Sequence, residues 1–245
     1  MPSPALFVAA HPDDELWMAV SMAEHVAAGQ DVHLLWMTDG TASGVVDDLN
    51  GVDVNSWWGV AHSPAAEGYV PLTPETLGAA RIAEGTNAVR QLALGYPGTL
   101  TIHRAQLQDG QVTQAAAQAA IVAVADLIAP AAPVRLKGHT YVPQLEPHPD
   151  HLAIGQAIKA LGDADPTRFG DRRYYLLPDH WTDPDLNLVV ESWDLPTDAG
   201  VTARVRNAVR CYGAWSPPYT YAIGEHSVHA LLTTIYNTPK CMLHA

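Results

Sequence analysis

Unbroken apolar runs alternate with segments of helical periodicity along the first two thirds of the chain. Residues 5–10 are apolar throughout and stop at His11, which is typical of a parallel strand buried on both faces. Residues 15–28 have helical spacing and are followed by Gly29, a residue type that commonly ends helices. Residues 31–38 form a second apolar run. Together these segments predict one strand–helix–strand unit.

The same alternation continues toward the carboxyl end. Thr73 is a candidate N-cap for one helix, and Pro149 stands in the first turn of another, where proline is favoured. Strands that alternate with helices predict a Rossmann-like, doubly wound, mostly parallel α/β sheet. In chain order, the other predicted elements are a helix over 74–94, a strand over 100–103, a helix over 112–129, a strand over 134–137, a helix over 148–161, strands over 173–177 and 188–190, and a helix over 201–212.

Two regions lack this periodicity. Residues 39–73 are rich in Gly, Asp, Asn, Ser and Pro. A segment of this length is longer than a loop that only connects two elements, so we predict an active-site loop. The tail from Gly213 onward is predicted to be irregular. No repeat or linker divides the sequence, so we expect a single domain over residues 1–245, with residues 186–245 as a C-terminal elaboration.

Composition and charge narrow the classes of function. With 48% hydrophobic residues, a chain of 245 residues can bury a sizeable core. Its 26 acidic residues against 13 basic ones give a net charge of -13, which repels both a phosphate backbone and an anionic membrane surface. We therefore expect a small-molecule substrate and neither nucleic acid nor membrane as a partner. The oligomeric state stays open.

The sequence also indicates a compartment. Residues 1–10 have no basic region and form too short an apolar run for a signal peptide. No apolar stretch is long enough to span a bilayer. Cys211 and Cys241 are too few for a disulfide framework. A cytoplasmic protein with reduced cysteines is the resulting expectation.

Two histidine motifs carry the candidate chemistry. His11 and Asp14 follow the first predicted strand, at the edge where open α/β sheets bind their ligands. His148 and His151 begin a predicted helix and are three residues apart, which puts them on one face. Two histidines and one carboxylate are a common ligand set for catalytic zinc, whose fourth position is left for water. The same set also suits Fe(II).

Amide hydrolysis needs further groups besides the metal. A metal ion polarises a carbonyl and makes water more acidic, and a positioned base adds to the rate. Asp13 is adjacent to the expected ligands and available to take a proton. His148, if protonated, is the candidate for stabilising an oxyanion or protonating a leaving amine.

At these residues the sequence resembles the PIG-L/LmbE-like zinc-dependent de-N-acetylase family. The family's Ala-His-Pro-Asp-Asp-Glu start appears here as residues 10–15, and its late His-Pro-Asp-His motif appears as residues 148–151. Residues 38–40 and 81–84 are further matches, and the resemblance covers at least residues 6–161. It implies an LmbE-like fold and one zinc per chain.

The resemblance also implies roles for individual residues. Zinc would be held by His11, Asp14 and His151, with Asp13 as general base and His148 assisting the oxyanion or the leaving group.

Residues farther from the two motifs are assigned less directly. By the same resemblance, Arg81 would contact the substrate and Asp109 would match a sugar-contacting acid. Arg81 alternatively pairs with Glu84 as an ordinary helical charge. Two positions depart from the mycothiol-pathway deacetylases of the family, which have serine where this chain has Met18 and tyrosine where it has Glu146.

The resulting hypothesis is a metal-dependent hydrolase that removes an N-acetyl or other N-acyl group from an amino sugar, an amino-sugar conjugate or a related small metabolite. Because Met18 and Glu146 depart from the sugar-binding pattern, an amidase or deacylase of a non-sugar intermediate in secondary metabolism stays an alternative. A non-catalytic metal-containing binding protein is the alternative from another class. Asp13 argues against it, because a structural metal site needs no spare base.

Other polar and aromatic residues have weaker patterns. Asp39 precedes a glycine and is either a structural turn or an orienting partner of a ligand histidine. Trp57 and Trp58 either pack the loop against the core or stack on a ring. His226 and His229 repeat the three-residue spacing without an acidic motif, which favours a structural or surface role, with pocket lining as the alternative. No chemistry is assigned to His25, His33, His62, His103, His139, His180 and His244.

Overall fold

The computed structural model describes residues 3–245, so the predicted absence of a signal peptide falls partly outside the described residues. A seven-stranded sheet forms its centre. Its strands are β1 (Ala5–Ala9), β2 (Asp31–Trp36), β3 (Thr99–Arg104), β4 (Arg135–His139), β5 (Arg172–Leu176), β6 (Glu191–Asp194) and β9 (Cys241–His244). They lie in the order β3-β2-β1-β4-β5-β9-β6. The first five strands in this order are parallel, and β9 is antiparallel to both of its neighbours. The prediction of a doubly wound, mostly parallel α/β sheet is confirmed.

Helices cover both faces of the sheet, and a small hairpin lies apart from it. The hairpin consists of β7 (Trp215–Ser216) and β8 (Thr220–Tyr221). A 3-10 helix over Asp14–Met18 precedes the first α-helix. The α-helices are α1 (Ala19–Ala27), α2 (Val45–Leu49), α3 (Pro64–Glu67), α4 (Pro74–Ala93), α5 (Gln114–Ile128), α6 (Pro149–Ala164), α7 (Pro166–Phe169), α8 (Ala199–Cys211) and α9 (Ile223–Asn237).

Alternate residues of β1 face two separate cores. Phe7 belongs to a core that includes side chains of α1, α4, α8 and α9. Leu6 and Val8 belong to a second core with side chains of α5 and α6. Because both faces are covered, the strand reads as a continuous apolar run rather than an alternating one. This is the physical reason why the strand was recognisable in the sequence.

Three local predictions are wrong. Residues 188–190 are not a strand: a 3-10 helix ends at Leu188, and the edge strand β6 begins at Glu191. The segment 15–28 does not begin as an α-helix, because the 3-10 helix occupies its start. The tail after Gly213 is not irregular, since it contains β7, β8, α9 and β9. These elements are set by pairing with distant segments, which local periodicity does not report.

The strand order reverses at β1, which pairs with β2 on one side and with β4 on the other. The next two strands in sequence, β2 and β3, lie on one side of this point, and β4, β5, β9 and β6 lie on the other. Such a reversal opens a crevice at the carboxyl ends of the strands. His11 follows β1 and His139 ends β4, so both histidines lie at this crevice. In the part of the chain that the structure describes, no helix is both long and apolar enough to cross a membrane.

Gly155 sets how closely α6 approaches the end of β4. A Cβ atom at Gly155 would lie 2.3 Å from the carbonyl oxygen of Thr140 and 2.7 Å from that of His139. We expect Gly155→Ala to lower the free energy of unfolding by about 1 to 3 kcal/mol, because backbone must shift to make room. Urea unfolding measures this. Gly44→Ala is the control, since nothing lies within 4 Å of its Cβ position, and equal effects of the two variants would contradict the prediction.

Glu84 ties α4 to the segment between β8 and α9. Its carboxylate accepts hydrogen bonds from the backbone N–H groups of Tyr221 at 2.8 Å and Ile223 at 2.9 Å. Burial raises the pKa of Glu84 to about 7 from an ordinary value of 4.5. The unfolded chain therefore releases this proton at lower pH than the folded chain. The stability that Glu84 contributes is complete below pH 4.5 and is lost as the pH rises to about 7.

We therefore expect the free energy of unfolding of the wild-type protein to fall by about 3 kcal/mol between pH 4.5 and pH 7, in addition to any change that Glu84→Gln also shows. Urea unfolding at four pH values measures the difference in slope. Glu75→Gln, an exposed position on the same helix, should keep the wild-type slope. A Glu84→Gln profile parallel to that of the wild type would show that Glu84 is not the titrating group.

Candidate active site

Three side chains from the two sequence motifs meet at one point. The Nδ1 atom of His11 lies 3.1 Å from Oδ2 of Asp14, and Nε2 of His151 lies 3.2 Å from the same oxygen. The two ring nitrogens are 3.4 Å apart. All three residues are at least nine-tenths buried. The structure therefore places the three residues that the sequence suggested as metal ligands in a compact triangle of donor atoms.

The turn after β1 orients the side chains of His11 and Asp14. The backbone N–H of His11 donates to Oδ2 of Asp14 at 2.8 Å, and the N–H of Asp14 donates to the carbonyl of His11 at 3.3 Å. Asp13, between them, has a φ of 120°, a conformation that costs a residue with a side chain about 1 to 3 kcal/mol and that recurs at functional sites. The strain is localised where the chain leaves the sheet.

Carboxylates surround the outer nitrogens of both histidines. Nε2 of His11 lies 2.9 Å from Oδ1 of Asp109 and 3.5 Å from Oδ2 of Asp150, while Nδ1 of His151 lies 3.2 Å from Oε1 of Glu146. Carboxylates in this position orient ligand histidines and raise their basicity. Asp150 is fixed in turn by the N–H groups of Gly110 and Val112.

These carboxylates make the triangle attractive to positive charge. Burial opposes protonation of His151, but Asp14 and Glu146 raise its pKa to about 9. Burial likewise opposes protonation of His11, yet hydrogen bonds to Asp109, Asp14 and Asp150 raise its pKa well above the usual value. A cation bound between these groups would be stabilised by the same negative charges that raise the two pKa values.

Asp13 points to a different partner from Asp14. Its Oδ2 atom accepts a hydrogen bond of 2.7 Å from Nη2 of Arg81, which is itself buried and also donates to the carbonyls of Pro12 and Gly40. Burial raises the pKa of Asp13, although Arg81 opposes the rise. The alternative pairing of Arg81 with Glu84 does not occur, because Glu84 accepts hydrogen bonds from the backbone of the C-terminal region instead.

His148 lies at the N-cap of α6 and is half-buried. Its Nδ1 atom accepts a hydrogen bond of 3.3 Å from the N–H of Asp150, and its ring stacks on His151 at 4.4 Å between centroids. Burial, followed by repulsion from His151 and His11, lowers the pKa of His148. A neutral ring whose Nδ1 accepts must carry its proton on Nε2, so His148 offers a neutral N–H donor.

A cavity of about 340 Å³ opens over these groups. Glu146 and Asp179 add carboxylates to its wall, and Ser227 and Val228 of α9 contribute the far side. Trp17 and Leu177 supply apolar surface. Its wall includes all the site residues expected from the sequence, His11, Asp13, Asp14, Arg81, Asp109, His148 and His151.

Some candidates from the sequence lie elsewhere. Asp39 forms an ion pair with Arg104 and ties the ends of β2 and β3 together. Trp58 stacks on His62 at 4.8 Å and packs beside Trp215. His226 is buried and Nε2 of His62 contacts its Nε2 at 2.9 Å, in keeping with the structural role favoured for it. Met18 is buried in the core and is not part of the cavity wall.

The sequence reasoning missed His139, Glu146 and Asp150 as parts of the site. The ring of His139 stacks on His151 at 4.0 Å, and its Nε2 atom accepts from the N–H of Ala10 at 3.3 Å. A signal for His139 was present, because it follows the strand predicted over residues 134–137 by two residues, at the same edge of the sheet as His11. Asp150 belongs to the late motif and Glu146 stands where the mycothiol-pathway enzymes have tyrosine, but neither residue had been assigned its contact with a histidine ring.

Solved structures with this fold catalyse different reactions. A deacetylase of teicoplanin biosynthesis, in complex with teicoplanin, has a TM-score of 0.62 at 12% identity, over 99% of this chain and 97% of that one. The N,N'-diacetylchitobiose deacetylase of Pyrococcus horikoshii has a TM-score of 0.56 at 16% identity, over 95% and 76%. The 4-carboxy-2-hydroxymuconate hydratase of Pseudomonas putida has a TM-score of 0.59 at 15% identity, over 99% and 95%.

At these identities the solved structures show the fold alone, and a hydratase among them demonstrates that the fold does not decide the reaction. None of the curated proteins matches the chain in sequence. The family model described as GlcNAc-PI de-N-acetylase, by contrast, matches residues 6–161, from β1 through the late histidine motif into α6. The chain belongs to the PIG-L family of de-N-acetylases.

Proposed function

We propose that this protein is a zinc-dependent hydrolase that removes an acetyl group from the nitrogen of an amino sugar or amino-sugar conjugate. The observation that carries the proposal is the triangle of His11, Asp14 and His151 beside a buried carboxylate, Asp13, that pairs with Arg81 instead of joining the triangle. Family membership supports deacetylation as the reaction. The N,N'-diacetylchitobiose deacetylase, which has this fold, supports an N-acetylated amino sugar as the substrate of that reaction, with water accepting the acetyl group.

The ligand triangle has the dimensions that zinc needs. Zinc bonds of about 2.0 to 2.1 Å in a tetrahedron hold the ligand atoms about 3.3 to 3.4 Å apart, and the three observed separations are 3.1, 3.2 and 3.4 Å. Three protein ligands leave a fourth position open, as in catalytic sites. When bound, the metal supplies a Lewis acid that polarises the amide carbonyl and makes water more acidic. Fe(II) fits the same ligand set.

Asp13 is the proposed general base. Burial raises its pKa toward the working range of a base, and Arg81 keeps enough negative charge on it to accept a proton. Arg81 thus acts through Asp13, since two of its nitrogens are already engaged with Asp13 and backbone carbonyls. This role replaces the direct substrate contact expected from the resemblance.

His148 is the proposed donor to the developing oxyanion. Its neutral Nε2–H group is set by the hydrogen bond that Nδ1 accepts from Asp150. A preorganised donor stabilises negative charge that develops in the transition state. Asp109 has both oxygens engaged, with His11 and with the N–H of Ala42, so we assign it to orienting His11 rather than to the sugar.

Deacylation of a non-sugar metabolite is the enzymatic alternative. The buried Met18 gives the cavity no hydroxyl at the position where mycothiol-pathway enzymes have serine. Glu146 lies in the cavity wall where they have tyrosine, and its carboxylate contacts His151. A panel of acetylated amino sugars and acylated amines, assayed for acetate or acid release, separates the two substrate classes. Metal content without hydrolysis of any of them would favour a binding protein.

We expect Asp13→Asn to abolish hydrolysis while zinc content stays at the wild-type level. Loss of the base should lower kcat by about 10²- to 10⁴-fold, because the carboxylate that takes the proton is gone and no ligand is removed. Acetate release and metal analysis measure the two quantities. Asp171→Asn, at an exposed position, is the matched control. Loss of zinc together with activity would instead make Asp13 part of the ligand set.

We expect Glu146→Gln to weaken zinc binding by about 10- to 100-fold, since a neutral amide no longer raises the basicity of His151 or fixes its ring. Competition with a colorimetric chelator measures the affinity without reference to activity. Glu191→Gln, on the outer strand β6, should bind zinc as the wild type does. An unchanged affinity in Glu146→Gln would show that the 3.2 Å contact with His151 has no part in holding the metal.

A further inference from the structure

A second cavity adjoins the proposed catalytic cavity. It has a volume of about 460 Å³, and we call it the tryptophan groove, with Ser56, Trp57, Asp179, Glu225, Ser227 and His229 in its wall. Asp179, Ser227 and Val228 line both cavities. A ligand bound over the ligand triangle can therefore continue into the groove without leaving the protein surface.

The boundary between the two cavities is a break in helix α9. Val228 has a φ of -139° and a ψ of 38°, outside the helical range, in the middle of the helix. Interruptions of this kind disturb the i to i-4 hydrogen-bond ladder and are common at functional sites. Ser227, beside the break, is exposed. At Val228 the helix therefore has irregular backbone with polar groups, which an uninterrupted helix would not have at this position.

The indole of Trp57 is held rigidly in the wall of the groove. Its backbone N–H donates to Oδ1 of Asn55 at 2.9 Å, and the Asn55 amide donates to the carbonyl of His226 at 2.8 Å. The ring meets His226 edge-on at 5.0 Å and lies 5.7 Å from the ring of His229. Trp57 is nevertheless only partly buried. It forms a preorganised aromatic surface, which reduces the entropy lost on binding.

The polar groups of the groove indicate what kind of ring it takes. Ser56, Ser227 and His229 are exposed and offer hydrogen-bond donors and acceptors, and Asp179 adds an exposed carboxylate. Among the described residues of the wall there is no lysine or arginine to meet a phosphate. A flat aromatic surface with hydroxyl, imidazole and carboxylate groups at its rim matches a polyhydroxylated ring, with one apolar face and polar edges.

We propose that the tryptophan groove binds a second sugar ring that carries no anionic group, so that the substrate is an N-acetylated amino-sugar disaccharide or longer glycoside rather than a monosaccharide. The proposal rests on the deacetylase function proposed above. Trp57 acts as a specificity-determining residue, because it contacts the ring that does not react. Binding energy from a remote ring is available to orient the acetamide at the reacting centre.

The kinetic test compares acetate release from N-acetylglucosamine and N,N'-diacetylchitobiose. Wild-type protein should prefer the disaccharide by about tenfold or more in kcat/KM. Trp57→Ala should remove most of this preference by lowering kcat/KM for the disaccharide, with that for the monosaccharide within about twofold of the wild type. Trp57→Phe should keep much of the preference. Trp193→Ala, whose residue lies on β6 and lines neither cavity, is the matched control.

Other outcomes would overturn the proposal. Equal kcat/KM for both sugars, or an equal decrease in kcat/KM for both in Trp57→Ala, would show that the groove does not bind a second ring. The deacetylase function would be unaffected by either result. A p-nitrophenyl glycoside can replace the disaccharide in this comparison. If its kcat/KM exceeded that of the monosaccharide as much as the disaccharide's does, and Trp57→Ala removed this difference, the groove would be a site for an aromatic group instead. Thermal melting of each variant confirms that it is folded.

A binding measurement separates failure of the groove from failure of the function. Calorimetric titration of N,N'-diacetylchitobiose into the Asp13→Asn protein, with and without Trp57→Ala, reports binding without turnover. Weakening by about tenfold in the double variant supports the groove, and unchanged affinity overturns it, even if neither sugar is hydrolysed by the wild type. Absence of acetate release from every substrate counts against the proposed function alone.

Discussion

The pairing of β1 between β2 and β4 is the constraint on which the candidate site depends. The chain runs from β1 to β2 and β3 on one side of the sheet and then crosses to β4 on the other side. This reversal opens a crevice at the carboxyl end of β1. His11 and Asp14 leave the sheet there, and His139 ends the adjacent strand. Helix α6 then brings His151 back over the same edge, guided by the close contact of Gly155 with the end of β4.

Buried negative charge is the second organising feature. Asp13, Asp14, Glu15 and Glu146 are all at least nine-tenths buried within a short distance of one another in sequence or space. Unpaired charges of one sign are costly in such a place, and Arg81 balances only Asp13 directly. The elevated pKa values of His11 and His151 reflect the same excess of negative charge. A divalent cation in the triangle would neutralise this excess, which links metal binding to the stability of the site.

The C-terminal region completes the cavity and connects it to the long loop over residues 39–73. Glu84 holds the start of α9 to α4 through two backbone hydrogen bonds. Asn55 of the loop holds the carbonyl of His226. Through these contacts the loop and α9 form one wall, and the break at Val228 divides that wall between the two cavities. The groove proposed to bind the second ring is thus separate from the residues that carry the proposed chemistry.

The sequence by itself determined the buried strands, the helix boundaries near Thr73 and Pro149, and the convergence of the two histidine motifs. Each of these follows from local signals, namely continuous apolar runs, caps, and short motifs at strand ends whose positions in a parallel sheet are fixed by topology. Tertiary structure alone decided that β6 begins at Glu191 and that β9 joins the sheet antiparallel to β5. It also decided that Arg81 pairs with Asp13 and that Trp57 lines a groove beside the cavity. These features depend on contacts between residues far apart in the chain, which no periodicity or spacing encodes.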